Sequence, residues 1–170
     1  MTVYTETFLP TDTDYSTSLS KLKQNKVESI LVVGMAPQTL QIIKRIKELG
    51  LKADIFTGWM MADPTIQKGN EVTLDGVYSS SPYFLLGLSG EVKSFNEAYT
   101  VKYNKPSNIY AAIGCDLAKM IGDNNLKSYE QLESLKTFTG VNGEIPQSEF
   151  GEFYLPLKMT QFIGGKSVIQ

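Results

Sequence analysis

Between residues 29 and 80 the sequence alternates short apolar runs with a helical stripe, and this pattern restricts the fold more than any other feature. Ser29-Ile30-Leu31-Val32-Val33 is nearly continuous in apolar side chains and ends at Gly34, as a strand covered on both faces does. Pro37 suits the first turn of a helix that carries Leu40, Ile43 and Ile46 on one side, with Ile42 and Leu49 widening the stripe. Gly50 suits the left-handed position after its end. Asp54-Ile55-Phe56-Thr57 reads as a strand closed by Gly58, and residues 76–80 as another. Strands and helices at this spacing build βαβ units and therefore a parallel sheet. Upstream, residues 3–9 read as a strand broken by Pro10-Thr11-Asp12. A helix follows, capped by Thr13 or Asp14, with Tyr15, Leu19 and Leu22 on one face.

The character changes at Ser81-Pro82-Tyr83. Three helical stripes follow: Val92, Phe95, Tyr99 and Tyr103; then Tyr110, Ile113, Leu117 and Ile121; then Tyr129, Leu132 and Leu135. They have no strands of their own to cover. The end is extended again, with Phe153, Leu155, Leu157 and Met159 alternating and Pro156 assigning that strand to an edge. Gly164-Gly165 marks a two-residue hairpin turn. The organisation expected is a βαβ core over 1–82, a helical segment over 83–138, and a return through Gly140-Val141-Asn142-Gly143 over 139–170.

Composition removes whole classes of function. The 170 residues suffice to bury a core without covalent staples. Sixteen basic and eighteen acidic residues give a net charge of −2, which offers no field for nucleic acid. Absence of histidine excludes Ser-His-Asp, Cys-His and HExxH chemistry, and one cysteine allows neither a disulfide nor a zinc site. No metal or cofactor is implied. Gly164-Gly165-Lys166-Ser167 echoes the end of a phosphate-binding loop, but Thr160 stands where its first glycine belongs. Met1-Thr2-Val3-Tyr4-Thr5-Glu6 lacks the pattern of a secretory leader, and no run is long enough to span a membrane.

In an open parallel sheet, ligands sit beyond the carboxyl ends of the strands. Here those ends are Pro10-Thr11-Asp12, Gly34-Met35-Ala36, Gly58-Trp59-Met60-Met61 and Ser79-Ser80-Ser81. Trp59 and the two methionines offer adaptable apolar surface to a small ligand, or else plug the end of the core. Thr11, Gly34, Met35, Gly58, Trp59, Met60 and Tyr83 form the candidate binding set. Asp12 and Asp14 read as turn and cap residues, Cys115 as an inert buried thiol, and Arg45 as solvated.

Several segments in order carry a resemblance. Thr11-Asp12-Thr13-Asp14-Tyr15-Ser16, Ile30-Leu31-Val32-Val33-Gly34, Ile46-Lys47-Glu48-Leu49-Gly50-Leu51 and Asp75-Gly76-Val77-Tyr78 precede Phe95-Asn96-Glu97-Ala98-Tyr99, Tyr110-Ala111-Ala112 and Thr139-Gly140-Val141-Asn142-Gly143-Glu144-Ile145. Together they resemble the C-terminal portion of type I periplasmic binding proteins, in the leucine/isoleucine/valine branch that feeds ABC transporters. The resemblance implies an α/β, Rossmann-like three-layer lobe with a parallel sheet and a C-terminal β hairpin, and helices over 90–136 that belong to the other lobe. It implies a non-enzymatic solute receptor in the periplasm, with a signal peptide upstream and a membrane permease as partner. The N-terminal lobe, and the first strand and helix of the second, have no counterpart here, so a homodimer or domain swap is expected. In amino-acid binders of the family the place of Met35 often holds an aromatic residue, and that of Trp59 an acid facing the ligand's ammonium group. An apolar or aromatic ligand, such as a carboxylate or amide, therefore suits this chain better than a standard amino acid. Asp63 is read as a turn or cap residue before Pro64. A cytoplasmic ligand-sensing regulator of the same fold is the alternative.

Overall fold

A computed structural model describes residues 4–170; Val3, in the first expected strand, lies outside them. In chain order the elements are α1 (Ser16–Gln24), β1 (Ser29–Val32), α2 (Ala36–Glu48), β2 (Asp54–Thr57), α3 (Pro64–Gln67), α4 (Glu71–Leu74), β3 (Tyr78–Pro82), α5 (Tyr83–Leu86), α6 (Glu91–Tyr103), α7 (Ile109–Asp123), α8 (Tyr129–Ser134), β4 (Thr137–Gly140), β5 (Gly143–Pro146), β6 (Leu157–Ile163) and β7 (Lys166–Ile169). A 3-10 turn, Trp59–Ala62, follows β2. The chain divides into two compact units, Met1–Ser80 with Met159–Gln170, and Ser81–Lys158. The return to the first unit thus falls after Lys158. It does not fall near Gly140, because β4 and β5 pair with each other, Thr137 opposite Pro146 and Gly140 opposite Gly143.

The larger sheet has the order β1-β2-β3-β6-β7. β1, β2 and β3 are parallel, and β6 and β7 form the expected antiparallel hairpin. Gly164 and Gly165 both take positive φ, 56° and 84°, as this turn requires. β6 lies inside the sheet: Gly76 N–H donates to the Phe162 carbonyl, and Phe162 N–H donates to that of Val77. The expected edge strand over 153–159 is corrected accordingly. Phe153 makes only an isolated bridge to Gln147. Pro156 stands just ahead of β6, where no ladder N–H is needed.

One face of this sheet is packed. Ile30, Val32, Ile55, Val77 and Phe162 join Tyr15, Leu19, Ile42, Ile43, Ile46 and Leu74 from the helices in a single core. The other face is open, with Leu31 69% and Val33 73% exposed, so β1 is not covered on both sides. Chirality explains the difference. From β1 to β2 to β3 each step moves the same way across the sheet, and right-handed crossovers then deliver every connecting helix to the same face. The α/β class with a parallel-dominated sheet holds, and among the described residues its helices form one layer on this sheet. Residues 4–9 form no strand ladder and no helix among the described residues. A cavity of about 1110 Å³ is lined by Tyr4, Phe8 and the outermost strand β1.

In the second unit, α7 turns a different face inward from the one its stripe suggests. Ile109, Ala112, Asp116 and Met120 are buried, while Tyr110, Leu117 and Ile121 are 66%, 51% and 53% exposed. Asp116 sets this rotation. Its buried carboxylate accepts from the N–H groups of Val141 and Asn142 and from the Asn142 side-chain amide at 2.7 Å. Phe84 of α5 and Phe95, Tyr99 and Tyr103 of α6 form a continuous chain of ring contacts.

Candidate functional site

Val32 of β1 pairs with Thr57 of β2, so the two loops leaving these strands lie side by side. Each turns quickly into helix, at Ala36 on one side and Trp59 on the other. A cavity of about 530 Å³ opens at this end. Its wall includes Leu31, Val33, Gly34, Thr39, Phe56, Gly58, Trp59, Met60, Ser80 and Met159. None of its lining side chains is charged.

The two methionines divide the roles that their sequence leaves open. Both line the cavity, but Met61 is 4% exposed and a member of the core, whereas Met60 is half-buried and packs against that core beside half-buried Trp59. Gly34 is required by close packing, since an added Cβ would stand 2.8 Å from the Phe8 ring. Thr39, one turn into α2, is 2% exposed, and its Oγ1 has no hydrogen-bond partner. Thr57, beside it in the wall, spends its hydroxyl on the Tyr78 carbonyl at 3.0 Å.

Of the candidate set, Gly34, Gly58, Trp59 and Met60 come together here. Met35 is the residue ahead of α2, 65% exposed and outside the cavity wall. Thr11 lies in the exposed turn closed by Asp12 N–H on the Leu9 carbonyl. Tyr83 belongs to the second unit, with the Lys158 ammonium 5.9 Å from its ring centroid. Thr39, Phe56 and Met159 are additions that sequence reasoning missed, and Ser80, named there only as part of a strand end, joins them. Phe56 and Ser80 could have been found from strand alternation, but nothing local marks Thr39, and Met159 arrives only through the pairing of β6.

The acidic candidates are committed elsewhere. Asp63 caps α3, accepting from the Thr65 N–H at 2.8 Å and from its hydroxyl at 2.6 Å. Asp12 accepts from the Leu9 N–H, and Asp14 from that of Ser16. Hydrogen bonds from Ser16 hold the Asp14 carboxyl below the usual range. Arg45 pairs with Glu48 at 3.0 Å and donates to Ser16 Oγ at 3.1 Å. Cys115 is half-buried, and burial pushes its thiol up, reinforced by the charge of Asp116.

Residues 1–149 match the family model described as periplasmic binding protein. Among solved structures, the leucine binding protein LivK from Thermotoga maritima is 22% identical with a TM-score of 0.74, over 96% of this chain and 49% of that one. The branched-chain amino acid transporter substrate binding protein LivJ from Streptococcus pneumoniae, in complex with isoleucine, is 20% identical with a TM-score of 0.69, over 96% and 51%. An ABC transporter solute binding protein from R. palustris, in complex with benzoate, is 17% identical with a TM-score of 0.65, over 95% and 47%. The chain therefore spans about half the length of these structures, and they share its fold.

Proposed function

The chain belongs to the periplasmic binding protein family, a family of solute receptors, and we propose that it carries one lobe of an ABC transporter receptor of the branched-chain amino acid type. Its ligand is an apolar or aromatic small molecule rather than a standard amino acid. The carrying observation is the uncharged cavity at the carboxyl ends of β1 and β2. Trp59 stands in the loop where an ammonium group would need an anion, and the nearby Asp63 is spent on its own helix cap. Burying an ammonium without a partner costs several kcal/mol or more. Gly34, Gly58, Trp59 and Met60 supply contacts from this lobe, and Met35 after β1, with Thr11 in the turn whose Pro10 carbonyl accepts from the Gln38 side chain, meets a larger ligand. The solved relative bound to benzoate supports an aromatic ligand on this fold.

A second lobe completes the receptor in this reading, and the closed form docks on a membrane permease in the periplasm. Two observations support the missing lobe. Leu31 and Val33 on one sheet face and Leu117 and Ile121 on α7 are large apolar side chains left about half exposed or more, and the chain covers about half of its solved relatives. Without that lobe, the exposed surfaces favour a homodimer or domain swap.

Trp59 fluorescence in the complete receptor tests the proposal. An apolar ligand should shift it, and Trp59→Ala should weaken binding by about 2 kcal/mol or more. Silence across a broad ligand panel, or unchanged affinity with lost stability, returns Trp59 to the core. This chain alone should bind weakly, and submicromolar binding by its monomer would refute the missing lobe.

A further inference from the structure

We propose that the cavity beside β1 is the acceptor for one β-strand donated by another polypeptide, which enters between β1 and residues 4–8 and runs parallel to β1. The inference uses no part of the ligand cavity and stands or falls apart from it. β1 is the outermost strand of its sheet. The Asp54 N–H donates to the Glu28 carbonyl, and Ile30 lies opposite Ile55. Parallel pairing then turns the N–H and C=O groups of residues 28, 30 and 32 toward β2, and those of Ser29, Leu31 and Val33 outward. Backbone groups left unpaired along a sheet edge are a template for a further strand.

Residues 4–8 form the opposite wall. Phe8 lies over Gly34, just past the end of β1, and meets the Tyr15 ring edge-on at 5.7 Å. Glu6 reaches back along α1, accepting from Ser18 Oγ at 2.9 Å and pairing with Lys21 at 3.3 Å. Since α1 leads down to the start of β1, this segment runs in the same sense as β1. The Gln38 side-chain amide holds its far end by donating to the Pro10 carbonyl at 3.0 Å. Segment, helix and strand follow the order of a βαβ unit, but the cavity separates the first from the last, and the strand expected there forms no ladder.

The cavity measures about 1110 Å³. A five-residue strand rises about 3.3 Å per residue, sits about 4.8 Å from its neighbour and fills about 10 Å of depth, about 800 Å³ in all. One strand fits and two do not. Tyr15, Leu19, Leu22 and Ile42 line the helix side, and the Glu6 charge is answered by Lys21. The donated strand is therefore uncharged along its middle, with an apolar side chain at every second position toward α1.

A synthetic peptide alternating valine and threonine, with lysines only at its ends, is the probe, and its control carries proline in mid-strand. Amide hydrogen exchange of the nitrogen-15-labelled chain is followed by NMR at several chain concentrations. Millimolar peptide should slow exchange of the Leu31 and Val33 amides roughly tenfold or more, and the proline control should not. Leu31→Pro removes an outward N–H without touching the β1–β2 ladder and should abolish the effect. If that variant does not fold, Ser29→Pro at the first position of the strand takes its place. A nitroxide on the N-terminal end of the peptide should broaden the Glu28 amide more than that of Gly34, and the reverse order overturns the parallel entry. Unchanged exchange with the peptide overturns the acceptor site, as does equal protection by the proline control or in the proline variant. Protection of Leu31 and Val33 without peptide overturns it as well. It assigns the edge to a second copy where protection grows with chain concentration, and to residues 4–8 where it does not.

Discussion

The two units of this chain solve the same problem with unequal success. In the first, α2 lays Ile43 and Ile46 against the sheet and both are fully buried. In the second, α7 buries Ile109 and Ala112 but leaves Tyr110, Leu117 and Ile121 more than half exposed. Both helices are amphipathic by sequence. The difference is that β1, β2 and β6 are there to receive the stripe of α2, whereas the second unit holds only the two-stranded β4–β5 hairpin. A stripe reports that a partner surface is needed, and the sheet decides whether one is present.

The largest expected effect separates the units directly. Ile46→Ala opens a cavity in the packed layer and should cost about 3 kcal/mol, within the range for large-to-small core changes. In the monomer, Leu117→Ala on the exposed stripe should stay within about 0.5 kcal/mol. Urea denaturation midpoints of the two variants test this. An equal loss for Leu117→Ala would mean that its stripe is covered in solution.

Next in size is the lock of the second unit. Asp116→Ala strands the buried N–H groups of Val141 and Asn142 and the Asn142 amide, at about 2 kcal/mol. Gly140→Ala should act on the same lock, because its new Cβ collides with the Asp116 carboxylate. If Asp116→Ala leaves the denaturation midpoint unchanged, the rotation of α7 has another cause.

These contrasts explain what the sequence made legible. The βαβ alternation located β1, α2 and β2 because periodicity is a local property, and Pro37 and Gly50 bounded α2 for local steric reasons. The loop after β2 stood out as a candidate because strand ends in parallel sheets are where ligands approach. Thr39 was not, since its burial depends on Phe8 and Gly34 closing over it. The inward face of α7 was misjudged for a related reason. Asp116 looks like a solvent residue until Val141 and Asn142 bring their N–H groups to it. The open face of β1 was hidden because an apolar run states affinity for cover, not its presence.

A smaller effect concerns association. If the chain forms the proposed homodimer through this stripe, paired Leu117→Lys and Ile121→Lys changes should shift it toward monomer in sedimentation velocity, with monomer stability changed by no more than about 1 kcal/mol. Unchanged association would move the contact to the open sheet face, where Leu31→Lys becomes the informative variant.

The smallest effect lies on the flank of α7. Burial raises the Cys115 thiol above its ordinary value, with the Asp116 charge adding to the shift, and only the thiolate is alkylated. Iodoacetamide at pH 8 should therefore modify Cys115 more slowly than an unstructured thiol, and the rates should converge in urea. The linkage has a definite sign. With the folded value above the unfolded one, the native state holds the proton longer, so stability falls as pH rises through the unfolded thiol range. The Cys115→Ser variant should lose that alkaline decline. If native and unfolded rates already agree at pH 8, the flank of α7 is as open as its Leu117 face, and the second unit is even less packed than its exposed stripe indicates.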